Sequence, residues 1–190
     1  MLSEAAAWRP PSAAISGHAT LKAATREAHA AVDSAFSRFD LGEVESYVGF
    51  LLAHGRALPG IEAALRHGGL PQWQPRTGRL AHDLGAFGHD LPAPIEVGRD
   101  PGLAWQVGLL YVIEGSRLGN RLLLRRVRRG FSSRFLSAVH EPGAWRAFTA
   151  ALDTLAKIEG SAWLEEALGG ALHGFELHAA AAEEVLGSPR

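Results

Sequence analysis

The sequence contains no cysteine. That excludes disulfides, zinc–thiolate and iron–sulfur centres, any thiolate-ligated metal and a cysteine nucleophile. Lysine is scarce as well: of 19 cationic residues only Lys22 and Lys157 are lysine, and the rest are arginine. The formal net charge is -1, so no overall basic field calls for a nucleic-acid partner. No apolar run approaches the roughly 20 residues of a membrane span. The opening stretch MLSEAAAWRPPSAAISG has an early glutamate and no sustained apolar region, which makes it a poor signal peptide. A cytoplasmic protein is the expectation, with no membrane association.

What remains is rich in alanine and leucine and poor in β-branched residues, with no sustained alternation. This composition predicts an all-α fold. At 190 residues the chain is long enough for one domain with a real core. We expect a flexible tail at 1–18 and one helical domain over 19–190. Thr20 is placed to cap a helix from Leu21 to about Phe39. A second helix is predicted from about Val44 to His67, with Pro59 kinking or interrupting it. The Gly- and Pro-rich stretch 68–101 leaves room for short helices, around Thr77 to Ala86. A long helix follows from Leu103 to about Arg129, then one after Pro142, and a last one from about Ser161 to Leu186. There is no internal repeat.

The helix from Leu103 holds a puzzle, because GLLYVIEGSRLGN carries Gly108, Gly115 and Gly119. Each glycine costs a helix about 1 kcal/mol relative to alanine. On a helical wheel the three fall within roughly 40° of one another, with Tyr111 on the flank. Such a face admits either a closely packed helix or a flat ligand.

In the first helix, LKAATREAHAAVD, Lys22 and His29 share a face about 10 Å apart along the axis. A neutral imidazole is a good iron ligand, and a lysine two turns away can pair with a carboxylate on the same bound molecule. Heme has that layout, with iron at its centre and propionates at one edge. The plainer alternative is a histidine on a charged, exposed face. His82 and His89 in HDLGAFGHD suit a solvated turn better than a metal site. His173 and His178 are five apart and do not share a face, and His54 suits packing or surface. The Glu-x-x-His pair of di-iron bundles, HExxH, Walker loops, GxGxxG and GxSxG are all missing. The arginines of RLLLRRVRRG suit a helix C-terminus, with docking of an acidic partner as the functional alternative.

Together, LKAATREAH at 21–29 and YVIEGSRLGN at 111–120 resemble the proximal and distal helix motifs of the heme oxygenase family. SRFDL at 37–41 and GGALHGFELHAA at 169–180 are similar to its sequences too. The resemblance runs from about Thr20 nearly to the end and is nearest to bacterial, biliverdin-forming members. It implies the heme oxygenase-like helical bundle. It implies oxidative cleavage of b-type heme, both substrate and cofactor, to biliverdin, CO and ferrous iron with O2. By position, His29 becomes the iron ligand, with Lys22 and Tyr111 as propionate contacts. Gly115 and Gly119 become the bare backbone over the ring. Arg146 stands roughly where some members keep a basic propionate contact.

Two departures stand out. Ser116 occupies the place of a distal aspartate that many members use to order water, and Asn120 replaces a small residue after Gly119. Both join the glycines as expected catalytic-surface residues. They also admit the alternative of a heme carrier or sensor that keeps the pocket without turnover. No flavin or nicotinamide fingerprint is present, so the implied partners are heme and an external electron donor, a reductase or ferredoxin. A bilin-accepting photoreceptor would be a further partner if the product serves as chromophore.

Overall fold

The computed structural model describes residues 16–66, 68–98 and 102–188. Among them there are eight α-helices and no strand: α1 Gly17–Ala24, α2 Arg26–Ser37, α3 Val44–Ala64, α4 Thr77–Gly85, α5 Leu103–Ser116, α6 Asn120–Leu124, α7 Ala144–Glu159 and α8 Ser161–Gly187. Most of the expected tail lies outside the described residues. Its last two residues, Gly17 and His18, already belong to α1.

The first helix differs from expectation in two ways. It starts at Gly17 rather than Leu21, because Ser16 caps it by accepting a bond from the Ala19 N–H (3.1 Å). Gly17 is needed there: a Cβ would sit 2.8 Å from that of Ala156 on α7. It also bends at Thr25, whose hydroxyl donates to the Leu21 carbonyl (2.7 Å), so Lys22 lies on α1 and His29 on α2. A threonine that back-bonds in this way bends helices.

Helix α3 runs through Pro59 without a break. The loop over 91–95 lies against it: Ile95 N–H donates to the Arg56 carbonyl (2.7 Å), and a Cβ at Gly60 would collide with the Ile95 carbonyl. Glu62, near the end of α3, caps α4 by accepting from the N–H groups of Arg76 (2.6 Å) and Thr77 (3.1 Å). Helix α4 therefore forms where the sequence places it.

The long helix expected from Leu103 to Arg129 does not form. It ends at Ser116, turns through Arg117–Gly119, and resumes only briefly as α6. Around the break the bonds shorten to three-residue spacing, Arg117 N–H to Glu114 O and Leu118 N–H to Gly115 O. The Ser116 hydroxyl competes for the Ile113 carbonyl (2.8 Å). Glycine on both sides of that turn lowers the cost of leaving the helix. Pro142 stands outside α7; the residue before that helix is Gly143, whose φ of +86° favours glycine.

Helix α8 is the spine, with α2, α3 and α5 packed along it. Its contact with α5 is nearly backbone on backbone. A Cβ at Gly108 would fall on the Ala167 carbonyl, and one at Gly170 on that of Trp105. The packing reading thus holds for Gly108. No helix among the described residues is long and apolar enough to cross a membrane.

A buried histidine, His178, meets a half-buried one, His54, in this core. His178 on α8 shares a bond with the Gly174 carbonyl through Nδ1 (2.8 Å), and its ring lies 5.8 Å from that of His54. Burial pushes the His178 pKa down to about 4 against the hydrogen bond, helped by the Arg76 charge, and holds His54 well below its ordinary value. Unfolded histidines bind protons near pH 6.5 that these do not, so stability falls as pH drops from about 6.5 towards 4. For His178 alone the loss is roughly 2 kcal/mol by pH 5. The urea midpoint should fall visibly between pH 7 and 5, above the range where carboxylates titrate. A flat midpoint would contradict neutral burial.

Candidate heme site

Tyr111 on α5 lies near the α1–α2 junction, and farther along α2 the two segments are linked only through intervening side chains. At one end the Thr25 side chain lies near enough to Tyr111 on α5 to oppose the rise in its pKa. At the other, a chain of contacts bridges them. Phe36 on α2 lies 4.5 Å from His54, His54 lies 4.8 Å from Phe135, and the Arg76 guanidinium sits 5.0 Å over that phenyl ring. Arg76 then donates to the Ser116 hydroxyl (2.9 Å) and the Ile113 carbonyl (2.7 Å). Along α2, His29 falls between Thr25 and Phe36. Along the distal segment, Gly115 precedes Ser116 and Gly119 follows the turn.

His29 is exposed on α2, with its ring edge-on to Phe175 of α8 at 5.6 Å. Its Nδ1 lies 3.0 Å from the Asp33 carboxylate one turn on. That pairing leaves Nε2 as the lone-pair nitrogen, the arrangement by which a carboxylate orients a metal-binding imidazole. Among the described residues no three His, Asp or Glu side chains gather into a metal-holding group. Lys22 is exposed on α1.

Tyr111 is buried beneath the rings of His18 (6.2 Å) and Trp145 (5.8 Å). Burial raises its pKa, against the effect of the nearby Thr25 side chain. The phenol stays protonated at neutral pH and so can donate to a carboxylate.

The three glycines part company here. Unlike Gly108, Gly119 has open space: a Cβ there would find only the Ser116 carbonyl, at 3.8 Å. Gly115 is intermediate, with the Trp145 ring 3.6 Å from a Cβ position. Open backbone at the turn is what a flat ligand requires.

Ser116 is exposed with its hydroxyl engaged, whereas Asn120 is buried. Ser116 serves Arg76 and Ile113, and Asn120 is 3% exposed with its side-chain nitrogen unpartnered. Arg76 was not legible as a site residue, since it lies in a Gly- and Pro-rich stretch. It is only 2% exposed, and its Nε and Nη1 have no partner. Burial and the nearby Arg117 charge lower its pKa to about 10, while Glu114 and Glu62 oppose the change, so it remains a cation at neutral pH. Orphaned donors this deep are costly unless a ligand or water satisfies them. These donors fit a bound group that brings acceptor atoms beside bare backbone. Arg146 stands apart, exposed on α7 and lining a surface cavity with Trp145 rather than contacting the α2 side.

In fold the chain is similar to a heme oxygenase of Neisseria meningitidis solved with NO and CO bound, at 23% identity and a TM-score of 0.78 over 93% of this chain and 94% of that one. The architecture is thus that of an all-α heme oxygenase. No family model matches the chain. A heme oxygenase of Xanthomonas campestris pv. campestris is 31% identical over 142 residues, 68% of this chain and 84% of that protein. The chain belongs to the heme oxygenase family.

Proposed function

We propose that the protein binds b-type heme between His29 and the Gly115–Gly119 turn and opens the ring to biliverdin, releasing CO and ferrous iron. The observation that carries this reading is the pairing of an oriented imidazole on α2 with open backbone at Gly119. When bound, heme supplies both the ring that is cut and the iron at which O2 is activated. The chain's own residues bind and orient. Asp33 pairs with His29 Nδ1 and would leave Nε2 as the nitrogen to hold the iron. Lys22 and the neutral phenol of Tyr111 would hold the heme carboxylates and so orient the group. On the distal side Arg76 and Asn120 offer unpartnered donors.

Reconstitution with hemin, followed by reduction with a ferredoxin or reductase system under oxygen, tests the reading. A Soret band that decays into biliverdin absorbance is expected. A stable ferrous or oxygen-bound spectrum would instead make the protein a carrier or sensor.

Electrons come from a separate donor on this reading, and α6 with its following turn is suited to dock one. Arg121, Arg125, Arg126, Arg128 and Arg129 are all exposed, beside Leu118 at 53% and Leu122 at 67% exposure. On a chain of net charge -1 this is a local cationic surface, able to steer an acidic protein. Changing Arg125, Arg126 and Arg129 to glutamate should raise the KM for the donor about tenfold and flatten its salt dependence. Hemin affinity should not change. An unaltered donor KM would move the docking surface elsewhere.

A further inference from the structure

His18, Lys22, Thr25 and His29 follow one another at intervals of four, three and four residues. On a helix that spacing keeps all four within about 60° of one another, as a single stripe. The bend at Thr25 does not interrupt it. Thr25 N–H still donates to the Leu21 carbonyl, and His29 N–H to that of Thr25, both at 2.9 Å. Three members of the stripe already have a role: His29 faces the iron, Lys22 a carboxylate, and Thr25 lies beside Tyr111. His18 has none.

Its position is nevertheless closely set. The His18 backbone N–H donates to the Asp153 carboxylate on α7 (2.9 Å), which also accepts from the Ser16 hydroxyl (3.2 Å). Gly17 beside it packs against Ala156 of the same helix. The half-buried ring stands edge-on to Trp145 at 5.8 Å and tilted against Tyr111 at 6.2 Å. Phenylalanine would make those ring contacts equally well. Among the described residues neither imidazole nitrogen has a hydrogen-bond partner. A polar ring partly withdrawn from water without a partner is costly, and a ligand that brings an acceptor removes the cost.

Lys22 stands one turn further along, and side chains at i and i+4 on a helix meet. Two donors converging from one face suit a carboxylate. The backbone at the start of α1 does not compete for it, because the His18 and Ala19 N–H groups go to Asp153 and Ser16. Arg146, the basic contact expected from sequence position, stands apart on α7.

We propose that His18 is a heme-binding residue, its imidazole N–H joining Lys22 on a carboxylate of the porphyrin in the role expected of Arg146. The assignment rests on the heme reading and deepens it, since it makes the acid groups of the substrate a point of selection at the start of α1.

The test titrates full-length protein with hemin and with hemin dimethyl ester, the same porphyrin with its acids masked, following the Soret band. His18→Phe keeps a ring against Tyr111 and Trp145 and removes both nitrogens. Its affinity for hemin should fall about tenfold, the scale of a hydrogen bond to a charged group. Its affinity for the ester should equal that of the native protein. His18→Gln, whose amide can still donate, should keep most of the native hemin affinity. Unchanged hemin affinity in His18→Phe overturns the contact. So does an equal loss with both porphyrins, which would make His18 a packing residue. Should the native protein not take the ester, the gap between the Gln and Phe variants on hemin decides alone. A native protein with no saturable Soret band overturns the heme reading itself, and this contact with it.

Discussion

Replacing His29 with alanine should leave a protein that still takes up hemin, more weakly, and no longer turns it over. The uptake survives because much of the binding energy of a porphyrin comes from apolar faces and from the propionate contacts expected of Lys22 and Tyr111. Turnover is lost because the iron no longer has a neutral imidazole to fix its position and electronic state. Loss of a partner that merely orients a ligating histidine costs about 10–100-fold, so removing the ligand itself should cost at least about 100-fold in rate with a reductase system. The Soret maximum should shift as well. Exogenous imidazole should restore part of the rate, since the side chain is exposed and its removal leaves an open space on α2. A variant with full turnover would take His29 out of the mechanism.

The second large effect is expected from Gly119→Leu. In the protein without ligand a Cβ at this position has ordinary backbone conformation, φ -75°, and nothing nearer than the Ser116 carbonyl at 3.8 Å. The leucine should therefore be accepted by the fold, with helical circular dichroism unchanged. Its side chain then stands where the ring is expected to lie, and saturable hemin binding should be lost. Gly108→Ala makes the opposite case. Its methyl collides with the Ala167 carbonyl, so overpacking should lower stability by about 3 kcal/mol or more. Equal hemin affinity in Gly119→Leu and the native protein would return this glycine to a purely structural role.

These two glycines also mark how far the sequence could be read. Wheel geometry puts Gly108, Gly115 and Gly119 on one face and cannot say what each face meets. Only tertiary packing separates the helix contact at Gly108 from the open surface at Gly119. The all-α architecture and the extent of α8 follow from composition and helical periodicity. The break after Ser116 does not, because its apolar pattern continues smoothly into RLLLRRV. Similarly, Ser16 outcompetes Thr20 as a cap only because Gly17 fits against α7. The motif around His29 was legible, and its neighbour Asp33 could have been found from the i, i+4 spacing of a histidine and a carboxylate. Arg76, His54 and Phe135 come from three distant parts of the chain, and no local pattern links them.

Glu62 gives that assembly an unexpected reach. Its carboxylate holds the start of α4, and the residue it holds there, Arg76, is the one that extends to Ser116 and Ile113. Positioning of the Arg76 guanidinium is thus delegated to a side chain on α3. Variation in regiochemistry among related proteins could therefore originate at a remote anchor, and a mutational scan restricted to the cleft would overlook its source.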